Sequence, residues 1–261
     1  MVLGSKGFAA ALTAMGLLAL PAGAASVNLT VDSFGQGETA AARAAYDAYS
    51  AGAQMRKAED FEGFSAWNGV QGTENAVQTG AGTIQGISAE PGSGYTAING
   101  GHGLQVRDAT LKGMEDFPSV WGRQNLDTGG KNWLDSNDLT QMVWKVGDVG
   151  KFDRLSFFLT DVGDIEGTNF TVQVTGNGIA KSIAHISPQE NGAINLVKIL
   201  LDGFVDGATV TLTSNHNDGF GIDDLTVAKV SPVPLPMPGL LLLAGIGSFA
   251  LIRGRRIAVQ A

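Results

Sequence analysis

The chain has 261 residues, no cysteine, 37 glycines and a formal charge of −8. The missing cysteine excludes disulfides and thiolate metal sites, and the length allows one large all-β domain or two small ones. Four of the 17 basic residues (Lys6, Arg253, Arg255, Arg256) lie in the apolar ends, so the middle sets 13 basic residues against 25 acidic ones, a formal −12 that disfavours nucleic acid as a partner.

Residues 1–24 have the three-part form of a secretory signal. Lys6 gives the positive start, and Gly7–Leu20 is apolar and too short to span a bilayer comfortably. Pro21 breaks the run, and Ala22-Gly23-Ala24 offers small residues to signal peptidase, with the cut expected after Ala24. The segment 25–59 turns alanine-rich from Thr39, which predicts a short helix over 40–57.

From Asp60 onward, short alternating runs are separated by Gly, Asn and Asp. The clearest strands are Leu155–Thr160, Asn169–Thr175, Ile194–Leu200, Thr209–Thr213 and Ile222–Val227. Phe61–Phe64, Thr83–Ile87, Leu104–Arg107, Gln141–Val146 and Ser182–Ile186 carry a weaker form of the pattern. Ten short strands without a long helix predict an all-β domain over 60–230, a two-layer β-sandwich of jelly-roll type.

Residues 231–256 form a separate tail. Its prolines block a helix until Pro238; Gly239–Ile252 is then apolar except for Ser248, and Arg253, Arg255 and Arg256 follow. The apolar stretch predicts a transmembrane helix whose arginines stay cytoplasmic, leaving the rest of the chain outside. Val233-Pro234-Leu235-Pro236, the apolar helix and the arginine cluster, in that order, resemble the VPLPA-CTERM tail, a variant of the PEP-CTERM sorting signals of Gram-negative bacteria. Met237 departs from the alanine of that motif, and Ile257–Ala261 extend past the arginines. The resemblance implies processing by an exosortase-type membrane enzyme. It places the protein in the cell envelope, at the outer surface or in the extracellular matrix, held at least transiently in the inner membrane.

Asp60-Phe61-Glu62 near the start of the domain and Gly221-Ile222-Asp223-Asp224-Leu225 near its end resemble the first and last strands of MAM-like and related carbohydrate-binding jelly rolls. Terminal strands of such folds lie side by side, which brings Asp60 and Glu62 to Asp223 and Asp224. A structural calcium, a hard cation taking six to eight oxygens, suits that cluster. Turn hydrogen bonds by Asp218, Asp223 and Asp224 are the competing reading. Trp121 and Trp133 lie in polar, loop-like surroundings and are candidates to stack on sugars, against simple packing; Trp144 alternates with Met142 as a core residue does.

No histidine pair stands at metal-ligand spacing, and the Gly92-Ser93-Gly94 and Gly80-Ala81-Gly82 runs lack the rest of a hydrolase elbow or a dinucleotide loop. Asp161, Asp164 and Glu166 are the most concentrated acids, in a glycine-punctuated loop that reads as solvated. The leading expectation is a non-enzymatic, exported surface or matrix protein. A carbohydrate-binding module with structural calcium, partnered by extracellular polysaccharide, is the second reading, and a secreted polysaccharide-degrading enzyme the third.

Overall fold

The computed structural model describes residues 24–66, 76–89, 104–108, 122–137, 139–216 and 218–230. The signal segment before Ala24 and the whole sorting tail, with Val233, Pro234, Leu235, Pro236, Arg253, Arg255 and Arg256, lie outside them. No helix among the described residues is long and apolar enough to cross a membrane.

In chain order the elements are β1 (Val27–Phe34), α1 (Thr39–Ser50), β2 (Ala53–Glu59), β3 (Ala76–Thr79), β4 (Gly82–Ala89), β5 (Gln105–Asp108) and β6 (Asn132–Asp135). They continue with β7 (Leu139–Val146), β8 (Phe152–Thr160), β9 (Phe170–Gly176), β10 (Ile179–Ile186), β11 (Ile194–Val205), β12 (Ala208–Ser214) and β13 (Gly221–Val230). Two antiparallel sheets result. One runs β1-β11-β8-β13-β6-β5, with β2 also on β13; the other runs β10-β9-β12-β7-β4-β3. The all-β, two-sheet expectation holds.

The inner faces meet in one core, where Trp144 meets Phe157 edge-on at 5.8 Å and Phe170 meets Phe220 at 5.0 Å. The outer faces differ. Strands β9 and β12 alternate buried and half-buried residues, as in a sheet packed on one side only. Strand β8 is buried almost throughout, because α1 lies over the outer face of its sheet. Ala42 of α1 clusters there with Leu126, Phe158, Ile194 and Leu196, joined by Phe34, Ala45 and Tyr46. Tyr49 donates to the Ile199 carbonyl at 2.8 Å, and burial pushes its hydroxyl pKa far up.

Three expectations need correction. Helix α1 stops at Ser50 rather than 57, since Gly52 takes a φ of 71° and turns the chain into β2. Phe61–Phe64 is a turn, not a strand: Phe61 has a φ of 59°, and the Phe64 N–H bonds back to its carbonyl at 3.1 Å. The segment 25–59 is part of the sandwich, since β1 pairs with β11 and β2 with β13.

Candidate functional site

Strand β13 changes partner along one edge, pairing with β6 at Gly221 and Ile222 and with β2 from Leu225 to Val230. The switch falls at Asp223-Asp224, where the register to β8 also shifts and Asp224 takes a φ of 51°. Pairing of Glu59 with Leu225 brings the acids after β2 to those of β13, as the sequence suggests.

At least one oxygen of each, however, is already held by a donor. Glu62 Oε1 accepts the N–H groups of Lys131 at 2.6 Å and Asn132 at 2.5 Å. Asp60 accepts the N–H of Glu62 at 3.0 Å. Buried Asp223 accepts from the Leu126 N–H at 2.7 Å and from the Asp224 N–H at 2.8 Å. Asp224 is paired with the Arg43 guanidinium, whose other nitrogen reaches Asp127 at 2.6 Å. Burial, and next the Asp224 charge, raise the pKa of Asp223 well above the usual range, and burial lifts Asp224 to about 6 against the pull of Arg43. Among the described residues no three acids or histidines converge as metal ligands. Asp60, Glu62, Asp223 and Asp224 thus do not converge as a ligand set in this structure, and Arg43 from α1 supplies a cation paired with Asp224. Arg43 was missed in the sequence, although it is the one charged residue within Thr39–Tyr46.

Trp133 is also corrected. It is 1% exposed and offers no face to a sugar; it stands opposite Arg107 across β5 and β6, beside the buried Arg107–Asp135 pair, 2.7 Å apart. Trp121 lies outside the described residues, as does Trp67.

The loop after β8 brings together a second group of acids. Asp161 is 3% exposed and accepts the Gly192 N–H at 3.0 Å; burial lifts its pKa to about 7. Asp218 shares a hydrogen bond with Asp164, and burial together with that neighbour raises it to about 9. A proton-holding acid of this kind suits general acid catalysis in principle. Here Gly122 packs so tightly on Asp161 and Asn191 that even a methyl group at its Cα would overlap both, and no substrate reaches Asp161 from that side.

On the outer face of the six-stranded sheet, the outward residues of β9 and β12 are half-buried and Val143 of β7 is 6% exposed. Register fixes the rows of this face. Thr175, Thr209, Lys145, Thr83 and Gln78 form the first; Ile183, Gln173, Thr211, Val143 and Gln85 the second; His185, Thr171, Thr213 and Gln141 the third. In a protein with 25 acidic residues, none of the described outward positions of these rows holds a carboxylate. Hydroxyls and amides repeat at strand spacing, about 4.8 Å across the sheet. The first row runs into a groove of ≈ 820 Å³ at the end of the sandwich, lined by Lys145, Thr209, Asn177, Asp202, Asp206 and Phe204, the last 44% exposed. A neighbouring groove of ≈ 440 Å³ shares Lys145 and adds Thr83 and Gln78.

No family model matches the chain, and no curated protein does. Among solved structures, TmCBM61 in complex with β-1,4-galactotriose is similar over 48% of this chain and 80% of its own, at 13% identity and a TM-score of 0.31. TmCBM27, a carbohydrate-binding module described for specific mannan recognition, is similar over 69% and 99%, at 9% identity and a TM-score of 0.29. The CBM22-1–GH10 modules of Clostridium thermocellum xylanase 10B, complexed with xylohexaose, match over 45% of this chain and 25% of theirs, at 16% identity and a TM-score of 0.27.

Proposed function

We propose that the protein is an exported, non-catalytic β-sandwich that binds extracellular polysaccharide through the open face of its six-stranded sheet. The carrying observation is that face itself: without a helix over it among the described residues, free of carboxylates among its described positions, and ruled with Thr, Gln and Lys side chains in a strongly acidic protein. Threonine hydroxyls on a rigid sheet lose little freedom on binding, and the glutamine amides extend their reach at a larger entropic cost. They present both donors and acceptors to a chain of hydroxyls. Each such bond nets only about 0.5–1.5 kcal/mol, so an extended polymer touching several rows is a better match than a free monosaccharide. Export and surface retention are part of the proposal through the signal-like start and the sorting-like tail.

Binding of the purified protein to a panel of neutral and acidic polysaccharides, by pull-down and glycan array, tests this. Retention that falls when Gln173 and Thr211 are changed to Ala supports it. Silence across the panel, or binding indifferent to those changes, overturns it.

A further inference from the structure

The chain between Ala25 and Ser26 does more than lead into β1. Ala25 bridges in parallel to Ile179 at the start of β10, the edge strand of the six-stranded sheet, and Ser26 precedes β1, the edge strand of the other. The Ala25 N–H donates to the Gly178 carbonyl at 2.7 Å, and the Ala25 carbonyl accepts from the Ala180 N–H at 2.9 Å. The N–H and hydroxyl of Ser26 donate to the two carboxylate oxygens of Asp202 at 2.7 and 2.6 Å. The Asp202 N–H returns a bond to the Ser26 carbonyl at 3.2 Å. These bonds tie the two open edges of the sandwich together at the ≈ 820 Å³ groove, which both Ala24 and Ala25 line.

We propose that the mature chain begins at Ala25 and that its new α-ammonium is a fitted part of the fold, seated on the Gly178 carbonyl at the rim of that groove. The proposal rests on the export reading, not on polysaccharide binding. Hydrolysis of the Ala24–Ala25 peptide bond by signal peptidase gives the water hydroxyl to the Ala24 carbonyl and leaves Ala25 with a free amine, protonated at neutral pH. A cut there leaves all of these bonds in place. One residue later it removes both Ala25 bonds, and two residues later the Ser26 clasp on Asp202 as well. The ammonium keeps the donor that the peptide N–H supplied and adds two more, in a groove lined by the carboxylates of Asp202 and Asp206. Cleavage thus converts a neutral donor into a cation at the rim of a groove whose lining holds two acids and one lysine, Lys145.

The test is export of the full chain from a Gram-negative host, followed by intact-mass measurement and amine labelling of the recovered protein. The expected first residue is Ala25. A chain starting at Gly23, at Ser26 or beyond, or retaining its leader, overturns the proposal. In the native protein the α-amine should acylate at least about tenfold more slowly than in denaturant, a factor equivalent to about 1.4 kcal/mol. Asp202→Asn should recover part of that rate. An amine that reacts as fast folded as unfolded overturns the seat. Polysaccharide binding measured on the same preparation is independent, so either idea can fail while the other stands.

Discussion

Arg43 of α1 closes its guanidinium on the carboxylate of Asp224 in β13, 181 residues away in sequence, while stacking over the rings of Tyr46 and Phe158 at 5.5 and 5.6 Å. The pair sits where β13 switches partner, so one side chain anchors the helix, neutralises the acids and closes the bulge. Removing it leaves Asp223 and Asp224 buried without their cation. Arg43→Met should cost about 3 kcal/mol, the usual penalty for breaking a largely buried pair from one side. Chemical denaturation checks this, and a loss under about 0.5 kcal/mol, the range of an ordinary surface substitution, would count against it. The same geometry predicts that EDTA or added calcium leaves the wild-type melting midpoint unchanged. A midpoint raised by calcium would return the ion to this cluster.

Burial raises the pKa of Asp224 to about 6, of Asp161 to about 7 and of Asp218 to about 9, against about 3.9 in an unfolded chain. The folded state therefore holds these protons more tightly than the unfolded one. Their stabilising contribution is complete below about pH 4 and is lost as pH rises through the folded values. The melting midpoint should fall between pH 5 and pH 9. Asp161→Asn should flatten the slope only below about pH 7, whereas Asp218→Asn should flatten it across the whole range up to about pH 9. A midpoint that climbs from pH 5 to pH 8 would contradict the assignment. Arg123 opposes the shift at both Asp161 and Asp218, so its removal should steepen the slope.

Much of the strand content was legible because one-sided strands announce themselves: Phe170, Val172 and Val174 alternate with Thr and Gln, and so do Val210 and Leu212. Strand β1 was legible too, since Val27, Leu29 and Val31 alternate with Asn28, Thr30 and Asp32, yet it went unassigned between the signal segment and the alanine-rich run. Strand β2 was not: Ala53–Glu59 shows no apolar face, because β2 leans on β13 at the rim and leaves Met55 exposed. Acid proximity could be inferred from motifs at the two ends of the domain. Its meaning could not, because the neutralising charge comes from a third element. Trp133 misled for a related reason: polar neighbours such as Lys131, Asn132 and Asp135 read as a loop, yet Asn132 and Asp135 are buried in β6 and serve the fold.

Trp133 gives a direct contrast between folding and binding. Its indole is fully covered and leans towards Gly221, where an added methyl group would also meet Thr160. Trp133→Ala should cost about 3–5 kcal/mol through the cavity left behind. At a temperature where the variant remains folded, retention on a bound polysaccharide should match the wild type. Loss of retention with unchanged stability would reinstate Trp133 as a ligand platform.

Thr211 stands at the centre of the open face, between Gln173 on β9 and Val143 on β7. Its side chain points away from the core formed by Val210 and Leu212. A charge placed there lies outside the inter-sheet core, though beside Val143, 6% exposed on the same row, so both Thr211→Glu and Thr211→Lys should change stability by only about 1 kcal/mol, the span of strand propensities. Their effects on binding should separate. Glutamate introduces a carboxylate on a face whose described rows have none, so it should weaken binding of an acidic polysaccharide, and most strongly at low salt. Lysine should preserve or strengthen that binding, with a dependence on ionic strength that the wild type lacks. A neutral polysaccharide should lose affinity with both, since either long side chain displaces the hydroxyl row and must shed its own hydration. Equal retention of all three proteins on every polymer would remove this sheet from consideration as the binding surface.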